Sequence, residues 1–187
     1  ISGKYRGLKL KTPKNKHLRP TSGRVRESIF NILFHGLAGF QMQTINVIDL
    51  FRGTGALGIE ALSRGANHAV FVDESSQAIE ILKSNISLIE KSKNNTILKI
   101  DAMSIANIVG LGKDSFGLAF LDPPYNKGLT SPSLIALNQS QLLKSGAFVV
   151  VELSKSEKLQ IPDEYKLLMR RDFGLTSILF LAYAYSS

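Results

Sequence analysis

The sequence predicts an α/β fold built on a doubly wound, mostly parallel sheet of seven strands. Five apolar runs alternate with helix-like segments, as strands and helices do in α/β proteins. The runs are almost continuously apolar, which is typical of parallel strands covered on both faces. After Glu152 two further strand-like runs follow each other too closely for a crossover helix, which indicates an antiparallel hairpin at one sheet edge.

The individual elements follow from these patterns. Strands are predicted at 45–51, 68–73, 96–101, 116–122 and 147–153, and the hairpin joins "YKLLMRRD" to "TSILFLAYA" through "FGL". Apolar residues at helical spacing predict helices over 76–90 and over 130–145, the second ending before Gly146. A further helix is predicted from about Arg24 to Leu37, capped near Thr21 or Ser22. Its buried face would hold Val25, Ile29, Leu33 and Leu37.

Composition limits the class of protein. The 187 residues suffice for one domain with a small appendage, which we place at 1–38 and 39–187. There is no cysteine, and the three histidines show no spacing typical of a metal site, so we expect no metal. No apolar run has membrane-spanning length and no signal-peptide core is visible, so we expect a cytoplasmic protein without membrane contact.

The net charge of +8 is concentrated near the N-terminus. Residues 1–35 hold nine Lys or Arg residues and one acid, Glu27, whereas positions 36–187 hold fourteen of each sign. A basic extension beside a neutral domain is typical of a surface that binds nucleic acid, although such a charge block can also be a solvated tail.

Four of the predicted strands end in an acid, namely Asp49, Asp73, Asp101 and Asp122. In open α/β sheets, ligands bind outside the carboxyl ends of the strands. One aspartate at such a position is usually a turn former or a helix cap. Four of them predict a shared site.

A glycine-rich loop follows the first strand. In "DLFRGTGALG", Gly53, Gly55 and Gly58 form G-x-G-x-x-G between a strand and a helix, which lets the backbone approach a nucleotide closely. Asp73, twenty residues beyond Gly53, is placed to accept hydrogen bonds from ribose hydroxyls. The loop alone predicts a nucleoside cofactor and leaves open whether it is a dinucleotide or S-adenosylmethionine.

The sequence "DPPY" after the fourth strand favours S-adenosylmethionine over a dinucleotide. The two prolines remove two N–H donors and stiffen the turn, so that the Asp122 carboxylate and a carbonyl, that of Pro123, form a fixed pair of acceptors. Tyr125 offers a flat face on which a base can stack. Two acceptors beside a stacking platform match an exocyclic amino group, whose nitrogen lone pair they would free to attack a methyl group.

The sequence resembles the RsmD family of bacterial 16S ribosomal RNA guanine-N2 methyltransferases, which have the Rossmann-like class I fold. The resemblance covers almost the whole chain and is carried by "ISGKYRGLKLKTP", "LRPTSGRVRESIFNIL", "DLFRGTGALGIEALSRGA", "LDPPY" and "VVVEL". It implies S-adenosyl-L-methionine as the cofactor, ribosomal RNA in a small subunit as the partner, and a monomer. The residues 1–38 would then be an RNA-binding extension and 39–187 the methyltransferase domain.

The resemblance also implies roles for particular residues. Asp122, Pro123, Pro124 and Tyr125 would hold and stack the guanine. The cofactor would be bound by Asp49, Phe51, Gly53, Thr54, Gly55, Asp73, Asp101 and Ala102. On charge and placement, RNA phosphates would be contacted by Arg6, Arg19, Arg24 and Arg26.

One position departs from the family pattern. Similar proteins usually have a small residue where this chain has Arg52. An arginine there either points away from the cofactor or pairs with an acid of the rim such as Asp73 or Asp122, which would alter cofactor affinity. We predict that Arg52→Ala leaves or improves cofactor affinity, and a large loss measured by calorimetry would show that Arg52 contributes to binding.

Other functions stay open at this point. An amino-group methyltransferase acting on DNA or another RNA base would share this chemistry, but the chain has no long insertion to serve as a DNA target-recognition domain. A protein-glutamine methyltransferase would more often have asparagine in place of Asp122. A nicotinamide-dependent oxidoreductase would leave "DPPY" unexplained. A non-catalytic RNA-binding module would explain only the basic extension.

Overall fold

The computed structural model describes residues 1–12, 22–51, 53–89, 94–125 and 127–184, and within them seven strands form one sheet. The spatial order is β3-β2-β1-β4-β5-β7-β6. Strands β1 to β5 pair in parallel, and β7 is antiparallel to both β5 and β6. The predicted doubly wound sheet with a C-terminal antiparallel hairpin is therefore confirmed. The strands are β1 Asn46–Leu50, β2 His68–Val72, β3 Asn95–Leu98, β4 Phe116–Leu121, β5 Leu143–Ser154, β6 Tyr165–Phe173 and β7 Thr176–Tyr183.

Helices cover both faces because successive strand residues point to opposite sides. On β1, Val47 belongs to a core shared with α1 (Gly23–His35), α2 (Ala56–Ser63) and α3 (Ser76–Ile86). Ile48 and Leu50 of the same strand belong to a second core, which is shared with α4 (Thr130–Gln139) and a 3-10 helix (Ala102–Asn107). No helix in these described parts of the chain is both long enough and apolar enough to cross a bilayer.

Helix α1 begins where the sequence predicts. The Ser22 hydroxyl accepts a hydrogen bond from the Val25 N–H at 3.2 Å, as expected of an N-cap. Ile29 and Leu33 are fully buried, whereas Val25 and Leu37 are only partly buried. The helix ends at His35, two residues earlier than predicted, with Gly36 as its C-cap.

The predicted helix over 130–145 is wrong in its last part. Helix α4 ends at Gln139, Gln141 adopts a left-handed φ of 54°, and β5 already begins at Leu143. Phe116 of β4 pairs with Leu143, and the register then shifts so that Leu118 pairs with Phe148. Leu142 and Leu143 continue the apolar helical spacing of α4, but they do not extend that helix. Strand pairing outweighs the helical spacing here, so Leu143 begins β5 and Leu142 directly precedes it.

The residues 1–12, here called the N-terminal segment, pack against α2 and α3. The Glu60 carboxylate on α2 accepts the Ser2 N–H, with both oxygens at 3.1 Å, and the Ser63 hydroxyl accepts the Tyr5 N–H at 2.9 Å. Side chains of this segment also contact the core on that face of the sheet. The segment is thus fixed to the domain, and the division at residue 38 stays a prediction.

Candidate active site

Two loops meet at the centre of the sheet. Strands β1 and β4 are parallel neighbours, and Leu50 lies beside Leu121 in their register. The chain after β1 forms the glycine-rich loop, and the chain after β4 forms Asp122–Tyr125. Since β2 and β3 lie on one side of this pair and β5 on the other, the strand order reverses here, which is where open α/β sheets bind ligands.

A hydrogen bond and close packing hold the glycine-rich loop in place. Its last residue, Gly55, precedes α2 in a left-handed conformation with φ of 67°, and Phe51 has the same φ. The Gly58 N–H donates to the Asp49 carboxylate at 2.9 Å, and Asp49 is fully buried. A Cβ atom on Gly58 would collide with the Phe71 ring. Asp49 and Gly58 thus fix the loop, whereas a Cβ on Gly53 would meet only Ala78 Cβ, at 3.6 Å.

A buried asparagine on α3 supports the same loop. Asn85 is fully buried, and its amide nitrogen donates to the Thr54 carbonyl at 2.9 Å and to the Lys11 carbonyl at 3.1 Å. Its amide oxygen accepts the Lys11 N–H at 2.7 Å. One side chain therefore ties the glycine-rich loop to the basic N-terminal segment.

The remaining predicted cofactor residues lie at the ends of β2 and β3. Asp73 is half-buried, and one of its oxygens accepts the Ser75 N–H at 2.8 Å at the start of α3. Asp101 is exposed and caps the 3-10 helix by accepting the Met103 N–H at 2.9 Å, and the adjacent Ala102 is buried. Both aspartates thus have a structural task as well as the position predicted for cofactor contacts.

The loop after β4 is anchored through its tyrosine. Pro123 is buried, Pro124 is exposed and Asp122 and Tyr125 are partly buried. The Tyr125 hydroxyl donates to Glu152 Oε1 at 2.9 Å and lies 3.0 Å from Thr176 Oγ1. Burial, with the negative charges of Glu152 and Asp122, raises the pKa of Tyr125 well above its ordinary value. The tyrosine therefore stays neutral at physiological pH.

The predicted RNA-binding arginines differ in their surroundings. Arg6 and Arg24 are exposed, whereas Arg19 lies outside the described residues, as does Arg52. The Arg26 Nε pairs with Glu60 at 3.2 Å, and the Arg64 Nε pairs with the same carboxylate at 2.8 Å. Arg26 thus has a structural partner inside the domain.

A cavity of about 530 Å³ lies between the N-terminal segment, the start of α1 and the glycine-rich loop. The residues that line it include Leu8, Leu10, Arg26, Thr54 and Ala56. Its size is within the range of small-molecule sites. The N-terminal segment therefore forms a wall of the space beside the glycine-rich loop.

Three of these residues were missed or misjudged from sequence. Glu60 was not singled out as a site residue, yet it is buried, pairs with Arg26 and Arg64, and accepts the Ser2 N–H. Asn85 carried a usable signal, since a polar residue three positions after Leu82 interrupts the apolar face of the predicted helix. Thr176 carried none, because a threonine at a strand start is ordinary. Glu152 on β5 contacts the Tyr125 side chain.

The residues present fit a nucleoside cofactor. In the glycine-rich loop a Cβ atom on Gly53 would be in ordinary contact with Ala78 Cβ, at 3.6 Å, and would collide with nothing, and a carboxylate stands at the end of the next strand at Asp73. Within the described ranges, no group of three or more histidine, aspartate or glutamate residues is placed to hold a metal ion. Carboxylates such as that of Asp73 can accept hydrogen bonds from hydroxyl and amino groups.

Comparisons with known proteins agree with this geometry. A family model described as "conserved hypothetical protein 95" matches residues 1–182. A candidate rRNA methyltransferase of Bacillus subtilis, YlbH, is 34% identical over 182 residues, 95% of each chain. The ribosomal RNA small subunit methyltransferase D of Haemophilus influenzae is 30% identical over 178 residues, 95% of this chain and 89% of that one.

The solved structures point the same way. A candidate methyltransferase of Escherichia coli, YhhF, has a TM-score of 0.83 and 29% identity, covering 100% of this chain and 97% of that one. The predicted Rossmann-like class I methyltransferase fold is therefore confirmed.

Proposed function

Because this chain belongs to the RsmD family of ribosomal RNA methyltransferases, we propose that it methylates the exocyclic N2 amino group of a guanine in 16S ribosomal RNA. The proposal is supported above all by one observation. The β1–β4 pairing brings the glycine-rich loop beside the Asp122–Tyr125 loop, in a chain whose excess positive charge lies at the N-terminus.

S-adenosyl-L-methionine, when bound, supplies an activated methyl group. The chain's own residues prepare the acceptor. Asp122 and the Pro123 carbonyl accept the two N–H groups of the guanine, which makes the nitrogen lone pair available. The Asp122 carboxylate is the loop's base for the proton that the nitrogen loses on methylation. Pro124 keeps the turn rigid, and holding both partners in line contributes much of the rate.

Different residues would contact different parts of the cofactor. Phe51, Gly53, Thr54 and Gly55 would line its methionine part, with Asp49 supporting the loop. Asp73 would bind the ribose. Asp101 and Ala102 would meet the adenine edge.

RNA binding must offset the cost of turning a guanine out of its stack, roughly a few kcal/mol. Contacts between exposed arginines and backbone phosphates supply binding energy of this kind and make affinity depend on salt. Arg6 and Arg24 are exposed and meet this requirement in the described chain. We therefore expect a folded small-subunit RNA or a ribonucleoprotein as substrate. We also expect the enzyme to be monomeric and cytoplasmic.

One experiment tests the reaction and its target. The protein is incubated with labelled S-adenosylmethionine and with 16S ribosomal RNA or small subunits from cells that lack the enzyme, and the modified base is mapped. Asp122→Ala should lower turnover by at least roughly a hundredfold. Asp163→Asn, an exposed acid outside both loops, serves as the control.

Each alternative predicts a different result. A label on an adenine, or on DNA, would replace the guanine target while leaving the methyltransferase reaction in place. Tight RNA binding with no labelled product from any substrate would favour a non-catalytic RNA-binding module. Binding of NAD without binding of S-adenosylmethionine would favour an oxidoreductase.

A further inference from the structure

The tyrosine of the Asp122–Tyr125 loop is held by side chains from the C-terminal half of the sheet. Its hydroxyl contacts Glu152 on β5 and Thr176 at the start of β7, at 2.9 and 3.0 Å. Glu152 is 5% exposed and Thr176 is 7% exposed. The two partners are therefore parts of the rigid sheet, whereas Tyr125 belongs to a loop.

The direction of both hydrogen bonds can be derived from the chemistry of the groups. A phenol has one proton, and an ionised carboxylate only accepts. Tyr125 consequently donates to Glu152, and the Thr176 hydroxyl must donate to the phenol oxygen. Burial raises the pKa of Tyr125, so the phenol keeps the proton that it donates throughout the physiological pH range.

Two partners restrain a tyrosine more than one does. A single partner fixes the long axis of the ring but leaves rotation about that axis, because the hydroxyl lies on it. The phenol proton and the lone pair that accepts a second bond both lie near the ring plane, so two partners also select the plane. The backbone end of the ring is restrained by the preceding prolines.

We propose that Glu152 and Thr176 are positioning residues that hold the Tyr125 ring in the plane on which the target base stacks. The inference rests on the proposed function, because it takes Tyr125 to be the stacking face. It assigns the β6–β7 hairpin a part in catalysis, since Thr176 directly follows the hairpin turn. Neither Glu152 nor Thr176 touches the reacting atoms in this scheme.

The sharpest test compares one substitution that removes the Thr176 hydroxyl with one that keeps it. Thr176→Val removes the hydroxyl and keeps the shape, whereas Thr176→Ser keeps the hydroxyl. We expect Thr176→Val to lower kcat by roughly two- to tenfold, the range for loss of one hydrogen bond, with unchanged cofactor affinity by calorimetry. Thr176→Ser should have a kcat close to that of the wild type. Equal kcat for the valine and wild-type proteins would overturn the proposal.

A double-mutant cycle separates positioning from a general effect on folding. Tyr125→Phe removes the hydroxyl that Thr176 contacts, so Tyr125→Phe with Thr176→Val should lose little more kcat than Tyr125→Phe alone. Fully additive losses would contradict the proposal. If Thr176→Val folds poorly in thermal unfolding, Glu152→Met, which has a similar length and no acceptor oxygen for the Tyr125 hydroxyl, takes its place in the cycle.

A second readout needs no substrate. With the Tyr125 ring labelled with carbon-13, ring rotation measured by nuclear magnetic resonance should be faster in Thr176→Val than in the wild type and in Thr176→Ser. Equal rates in all three proteins would overturn the inference even if the enzyme methylates guanine. Conversely, methylation of another base would overturn the proposed target while leaving this comparison intact.

Discussion

The Lys11 N–H donates to Asn85 Oδ1 at 2.7 Å, and the amide nitrogen of Asn85 returns a hydrogen bond to the Lys11 carbonyl. This reciprocal pair resembles two rungs of a sheet ladder, made by a side chain instead of a strand. The same amide nitrogen also donates to the Thr54 carbonyl. The Asn85 side chain therefore binds both the N-terminal segment and the glycine-rich loop.

Asn85→Ala should therefore lower both stability and cofactor affinity. It leaves the Thr54 carbonyl and the Lys11 backbone groups without this partner, at a cost of about 2–3 kcal/mol. Urea unfolding and calorimetry with S-adenosylhomocysteine measure the two effects. Ser84→Ala is the matched control, since Ser84 Oγ contacts only the exposed Lys11 ammonium, at 2.7 Å, among the bonds described for it. Equal cofactor affinity in the two variants would refute the role of Asn85.

Arg24 and Arg26 should behave differently although they lie two residues apart. Arg24 is exposed, so Arg24→Ala should weaken RNA binding, with a decrease of about 1 in the slope of log K against log salt, and leave stability unchanged. Arg26→Ala removes one cation from the buried Glu60 carboxylate and should destabilise the fold. Filter binding at several salt concentrations, together with thermal unfolding, checks both. A stable Arg26→Ala protein with a reduced salt slope would show that Arg26 binds RNA.

The strands were predictable because each of them is a compact apolar run, and the hairpin because no helix fits between its strands. The end of α4 was not, since Leu142 continues a helical stripe and only pairing of Leu143 with Phe116 shows that the sheet takes over. In the site, the glycines and the acid at position 122 were visible from their spacing. The partners of Asn85 and Thr176 were not visible, because they lie 31 and 51 residues away in sequence, although a polar residue at position 85 of the predicted helix was itself a signal.

Gly58 and Gly53 should also respond differently to alanine. In Gly58→Ala the new methyl group meets the Phe71 ring and lies 3.1 Å from Asp49 Oδ2, so we expect a loss of about 1–3 kcal/mol from overpacking. In Gly53→Ala the nearest atom is Ala78 Cβ at 3.6 Å, so the fold should tolerate the change. Any loss of S-adenosylhomocysteine affinity in Gly53→Ala then reports on the cofactor site. An unfolded Gly53→Ala protein or a fully stable Gly58→Ala protein would contradict this division.

Tyr165→Phe should change how stability depends on alkaline pH. Tyr165 is buried on β6, its hydroxyl donates to the Leu134 carbonyl at 2.8 Å, and burial raises its pKa above the ordinary value of 10.0. Below pH 10 the residue is protonated in both the folded and unfolded chains. Above pH 10 only the unfolded chain ionises, so the free energy of unfolding falls as pH rises.

The phenylalanine variant lacks this proton. At pH 7 it should be less stable than the wild type by about 0.5–1.5 kcal/mol, because the Leu134 carbonyl loses its side-chain donor. From pH 10 upward its stability should decline less steeply, and the two curves should converge. Tyr125, whose pKa is also raised, contributes the same decline to both proteins. Urea unfolding at pH 8, 9, 10 and 11 gives the two curves, and parallel curves above pH 10 would show that Tyr165 does not carry the effect.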